Sequence, residues 1–211
     1  MVGERTIPGP RIVARYTDRY ISWVETRLNI LEHALRLFAA RGYDAIGVQE
    51  ICGAAGITKP TLYHHFGNKR GLLAALIQER CTPFLAHLER AAEYTGDLPL
   101  TLQRVAEASF QFAHEQPSLQ GLLLALWFAP PSSEAFQLAA AFNDKQMLLL
   151  EELFRHAANH HGNMRERHHL YAATFLGTLH TYIALALKGR LVLNEPMAHQ
   201  AVNQFSHGIY S

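Results

Sequence analysis

The residues best suited to chemistry crowd into one short stretch. Val48–Phe66 reads VQEICGAAGITKPTLYHHF. Helical spacing puts Leu62 and Phe66, at i and i+4, on one face. With Ile57 they turn inward, and Lys59, Thr61, Tyr63 and His64 are left facing out. Those side chains suit the edges and backbone of a nucleic-acid duplex. A lysine donates to guanine O6 and N7, a threonine methyl touches a thymine methyl, and Tyr and His donate to phosphate oxygens. Lys69 follows in the first turn of the next helix, where its charge adds to the positive end of the helix dipole and favours a phosphate. His64 and His65 are adjacent and cannot face the same way, so His65 is expected to pack within the domain.

The elements that must hold these groups are helical. Arg27–Ala40 carries Ile30, Leu31, Ala34, Leu35, Leu37 and Phe38 on one face, an amphipathic helix that Gly42 ends. Val48–Ala55 repeats the pattern and Gly56 stops it. Thr58 caps the next helix, with Pro60 tolerated in its first turn. Asn68 caps a fourth, expected to run to about Arg80, with a new helix starting near Pro83 and reaching Tyr94. Further helices are expected from Asp97 to about Gln116, over Ser118–Ala129, from Ser132 or Ser133 to about His161, from Asn163 to about Lys188, and over Pro196–Ile209. Gly162 is the expected stop before Asn163. This is an all-α chain of about ten helices, with no strand-like alternation.

The chain has 211 residues, 49% hydrophobic and 18% charged, ordinary values for a folded protein. Residues 1–81 hold 11 Lys+Arg against 7 Asp+Glu, net +4; residues 82–211 hold 8 against 11, net −3. A polyanion would meet the first half. The most apolar uncharged run, Gly121–Ala129, is nine residues long, short of the ~20 that a spanning helix needs, so no membrane segment is expected. No apolar leader opens the sequence, and two cysteines, Cys52 and Cys81, build no disulfide framework; a cytoplasmic setting fits both.

The stretch ILEHALRLFAARGYDAIGVQEICGAAGITKPTLYHHFGNKRGLLAAL resembles the DNA-binding domain of TetR/AcrR-family transcriptional regulators. LFAARGYDA, AAGITKPTLYHHF and GNKRGLL agree with the family in order and spacing, from Arg27 to about Arg80. The resemblance implies a helix-turn-helix domain over residues 27–81 and an effector-binding and dimerisation domain over 82–211. It implies that Lys59, Pro60 and Thr61 approach base edges, that Tyr63 and His64 reach phosphates, that Lys69 holds a phosphate, and that Val48, Gln49 and the cap Thr58 lie near the backbone. Gly47 stands where family members often have a threonine cap, and Gln49 where they often have arginine. Residues 1–26 form an extension, either a basic arm through Arg5, Arg11, Arg15 and Arg19, a docked helix carrying Ile12, Tyr16, Tyr20 and Trp23, or a disordered terminus.

The expected function is a sequence-specific DNA-binding regulator, a homodimeric repressor released from a palindromic operator by a small apolar or aromatic effector. Phe110, His114, Trp127, Phe128 and Phe142 are candidates for the effector pocket. Ala173, Gly177 and Thr181, four residues apart, are candidates for a close dimer contact; Gly177 could instead admit an intramolecular neighbour. A dimeric small-molecule-binding protein without operator binding is the alternative. No catalytic motif is found, so an enzyme is not expected, nor a cofactor. His156, His160, His161, His168 and His169 flank a loop and leave a His-dependent metalloprotein as the remote possibility.

Overall fold

The computed structural model describes the backbone of residues 10–161 and 164–208, and side chains from residue 21 onward in that span. Arg5, Gly162, Asn163 and Ile209 lie outside the described residues, as do the side chains of Arg11, Ile12, Arg15, Tyr16, Arg19 and Tyr20. The described residues form nine α-helices and no strand. These are α1 (Pro10–Arg41), α2 (Val48–Ala55), α3 (Lys59–Phe66), α4 (Lys69–Ala91), α5 (Leu98–Glu115), α6 (Pro117–Trp127), α7 (Glu134–Ala157), α8 (His168–Leu187) and α9 (Glu195–His207).

The starts follow local chemistry. Thr58, Asn68, Asp97, Ser133 and Asn194 each accept a hydrogen bond from a backbone N–H three residues on, satisfying a donor the first turn leaves free. Gly56 closes α2 at φ 65°, a left-handed conformation that costs glycine little.

The expected break near Pro83 is absent: α4 runs unbroken through it. A proline inside a helix costs ~3 kcal/mol through its missing donor and ring clash. Burial on the same helix outweighs that. Cys81, Phe84 and Leu88 are all buried, and a large apolar side chain contributes about 1.5–3 kcal/mol when buried. Phe84 also stacks on Phe112 at 4.2 Å. Fusion of these two segments reduces ten expected helices to nine. Residues 10–26 are helical and continuous with α1.

The core is one connected cluster. At one end, Ile30, Leu31, Leu35 and Phe38 of α1 meet Ile51, Leu62, Phe66, Leu72 and Leu76. At the other, Phe154 of α7 packs against Phe175 of α8 and Phe205 of α9. The shared helix α4 contributes to both ends.

Apolar character is not confined to Gly121–Ala129. α8 has no Asp, Glu, Lys or Arg in 20 residues and is long and apolar enough, at mean hydropathy 1.4, to cross a membrane by composition alone. Its histidines and threonines interrupt the apolar run without adding formal charge. Here it is a bundle helix, with Phe175, Leu176, Leu179 and Ile183 buried.

Candidate nucleic-acid interface

The apolar side of α3 is sealed: Leu62 is 0% and Phe66 9% exposed. Ile57, before the helix, packs against the same core. The opposite side is open. Thr58, Lys59, Pro60 and His64 are exposed, Thr61 is half-buried, and Tyr63 is 45% exposed although it is aromatic. Thr58 Oγ1 lies 2.9 Å from Thr61 Oγ1, so the cap also orients the threonine that faces out. These six residues form one surface.

The other three candidates differ. Gln49 is exposed at the start of α2, but Val48 is half-buried against the core. Lys69 is half-buried, its ammonium 4.0 Å from the ring centroid of Tyr43. That cation–π contact gives the lysine a defined place at the start of α4. Gly47 caps α2 with no side-chain hydrogen bond, as its lack of a hydroxyl requires.

Charge placement around α3 and α4 is against helix stability. Acidic side chains favour a first turn and basic ones oppose the dipole there, by ~0.3–1 kcal/mol. Yet the first turns of α3 and α4 hold no acid, and Lys59, Lys69 and Arg70 begin them. Among the described residues neither Lys59 nor Lys69 is in an ion pair. Arg70 pairs with Glu134, which leaves Lys59 and Lys69 as the positive charges at two adjacent helix N-termini beside the open face of α3, an arrangement suited to a polyanion.

A close backbone approach fixes the junction between these helices. A Cβ on Gly71 would lie 2.0 Å from the carbonyl oxygen of Phe66. Only glycine lets the first turn of α4 sit so near the end of α3. His65 packs inward, against Trp23 and Phe66, and burial, with His64 and Arg27 adding to it, holds its pKa below the ordinary histidine value.

Known proteins match at this site. Residues 30–76 fit the family model described as bacterial regulatory proteins, tetR family. That segment is a tetR-type DNA-binding domain by sequence match. Over 88 residues the chain is 36% identical to the HTH-type transcriptional activator FasR of Mycolicibacterium smegmatis, 42% of this chain and 40% of FasR. The matched segment therefore spans about two fifths of that curated relative's length. The tetR-family regulator PfmR from Thermus thermophilus is 28% identical with TM-score 0.67, over 86% of this chain and 99% of PfmR. FadR from Bacillus subtilis, solved with stearoyl-CoA, is 19% identical and shares the fold at TM-score 0.72, over 87% of this chain and 99% of FadR.

Beyond the tetR-type domain the sequence-based candidates scatter. Phe110 and Phe142 are buried core, Trp127 is half-buried, and His114 is exposed. Phe128 is 78% exposed. None of the five lines the groove between α4 and α5. That groove, of about 340 Å³, is lined instead by residues including Phe84, His87, Phe112 and Glu115. Aromatic spacing marked where apolar side chains would fall, and Phe110 and Phe142 fill the core.

Ala173, Gly177 and Thr181 are all exposed on α8. A Cβ at Gly177 would meet nothing within 4 Å, so no intramolecular neighbour needs that glycine. His160 lies within hydrogen-bond distance of the Tyr94 hydroxyl, 3.1 Å, and His156 pairs with Glu152. Among the described residues no group of three or more His, Cys, Asp or Glu is placed to hold a metal.

Proposed function

We propose that this protein is a DNA-binding transcriptional regulator whose reading surface is the open side of α3, in a domain over residues 27–81. The observation that carries this is the pairing of a sealed apolar side, Leu62 and Phe66, with an open side on which Thr58, Lys59, Pro60, Tyr63 and His64 are exposed and Thr61 is half-buried. Lys59 and Thr61 meet base edges; Tyr63, His64, Lys69 and the start of α2 at Val48 and Gln49 track the backbone. An α3 of two turns fits a major groove ~12 Å wide.

The active form is a homodimer acting in the cytoplasm. Supporting this, the exposed side of α8 is uncharged, and a groove of about 610 Å³ runs along Thr174, Gly177, Thr181, Tyr182 and Phe205 of α8 and α9. Small residues there let a partner helix approach closely. Two α3 helices then enter successive major grooves ~34–36 Å apart, and the operator is roughly palindromic.

A small apolar effector binds the domain over residues 82–211 and releases the repressor from its operator. It does so only by its differential affinity for two conformers. The α4–α5 groove, of a size that suits small molecules, adjoins the shared helix α4 and supports that route.

The test is a selection of duplexes from a random-sequence library by the wild-type protein, followed by affinity for the selected duplex. Lys59→Ala and Tyr63→Ala are each expected to weaken binding about tenfold or more, with a steep loss on adding salt. Wild-type affinity in both variants overturns the reading surface. A thermal-shift panel of apolar compounds, stearoyl-CoA included because a structural relative was solved with it, tests the effector.

A second reading is a dimeric small-molecule-binding protein without operator binding. It is favoured by Gly47, whose cap lacks the hydroxyl a phosphate contact would use. Failure of the selection to enrich any duplex would favour it.

A further inference from the structure

α1 is longer than its core contact requires. From residue 21 to 29 none of its residues is buried, and the buried stripe begins at Ile30. Three side chains of these earlier turns nevertheless reach far across the sequence: Asn29 donates to the Ala55 carbonyl oxygen at the end of α2, while Trp23 and Arg27 go to the end of α3. Arg27 Nη1 donates to the carbonyl oxygen of His65 at 3.2 Å. Its guanidinium lies 4.5 Å from the ring centroid of Phe66 and pairs with Glu79 of α4. One turn earlier, the Trp23 indole sits with its ring centroid 5.1 Å from that of His65. Arg27 lies 5.7 Å from the same indole, so Trp23, Arg27, His65 and Phe66 form one stacked group.

α3 has eight residues. A helix so short does not hold its own shape or direction in water, and its aim comes from what it packs against. Leu62 and Phe66 anchor it on the core side. The end that carries Tyr63 and His64 is held from outside by Trp23 and Arg27 alone among the described residues of α1. His65 Nδ1 is buried and has no hydrogen-bond partner among the described residues, so the ring is there for its packing.

We infer that Trp23 and Arg27, in the turns of α1 that precede the core, are positioning residues that set the angle of α3 and thereby its sequence preference. The inference rests on the DNA-binding reading above. Neither residue needs to touch DNA. Moving the end of α3 shifts Lys59 and Thr61 against base edges, which tolerate little displacement. Phosphate contacts carry no sequence information and are shared by any duplex.

The full-length protein is compared as wild type, Trp23→Ala, Trp23→Phe and Arg27→Gln, using the library-selected duplex and a scrambled duplex of equal length. Trp23→Ala and Arg27→Gln are expected to bind the selected duplex about tenfold more weakly, the scale of one spoiled base contact, with the scrambled duplex changed less than about twofold. Trp23→Phe, which keeps an aromatic face, is expected to recover most of the loss. Hydrogen exchange without DNA is expected to quicken at the amides of α3 in Trp23→Ala and not at those of α2. Wild-type preference in both variants overturns the inference. So does an equal fall on both duplexes, which marks a folding defect, or unchanged exchange in α3. A wild-type protein that selects no duplex removes the DNA reading and this inference together, whereas a selecting wild type with indifferent variants removes this inference alone.

Discussion

The phenol of Tyr43 donates to the carboxylate of Glu134, 91 residues further along the chain. Tyr43 lies in the loop after α1 and is 4% exposed; Glu134 is the first residue of α7. Arg70 adds an ion pair to the same carboxylate at 3.6 Å. Glu134 thus joins the helix that starts the second half of the core to the loop and the α4 N-terminus beside α3. Burial and the neighbouring carboxylate both raise the Tyr43 pKa, so the phenol stays protonated and donating at neutral pH.

Tyr43→Phe keeps the ring under Lys69 and removes only the donor. A hydrogen bond to a charged group contributes about 1.5–3 kcal/mol, and Glu134 keeps Arg70 and partial solvent access, so a loss near the lower end is expected. Urea denaturation followed by circular dichroism measures it. An unchanged midpoint would show the contact to be idle.

Gly71→Ala is expected to be far worse than its size suggests. The added methyl would collide with the Phe66 carbonyl, a backbone atom that cannot rotate away. A forced shift of this kind costs typically 1–3 kcal/mol, and it falls on the α3–α4 junction. Thermal unfolding of the variant should start lower, with faster hydrogen exchange over residues 62–73. Wild-type stability would refute the close approach.

His180 gives a pH dependence with a definite sign. Burial, beside the edge of Trp127, lowers its pKa to about 4. The folded state then binds fewer protons than the unfolded state, whose histidine titrates near 6.5. Stability from this group is full above about pH 6.5 and falls as pH drops towards 4, by at most about 3 kcal/mol. His65, also lowered, acts in the same direction. Urea midpoints at several pH values should therefore decline more steeply below pH 6.5 in wild type than in His180→Leu. Parallel curves would contradict the assignment.

How much of this was legible in the sequence depends on the range of the interaction. Leu62 inward and Tyr63 outward follow from helical spacing within four residues, and Thr58 and Asn68 announce their caps over three. Contacts such as Arg27 with His65 or Tyr43 with Glu134 join segments that no local pattern relates. Pro83 misled because its local cost is real but smaller than the burial of Phe84 and its neighbours, which depends on Phe112. Phe110 and Phe142 show the same limit: spacing places an aromatic on an inward face without saying whether that face meets packing or a cavity.

The continuity of α4 through Pro83 has a mechanical consequence. Its 23 residues make a rod of ~35 Å at 1.5 Å per residue. Pivoting such a rod about its midpoint by ~5° carries each tip ~1.5 Å. In a symmetric pair the two tips beside α3 would move in mirrored fashion, changing their separation by up to ~3 Å, about one hydrogen-bond length. With no slack joint between the ends, a disturbance near Phe84 has nowhere to dissipate before it reaches Lys69.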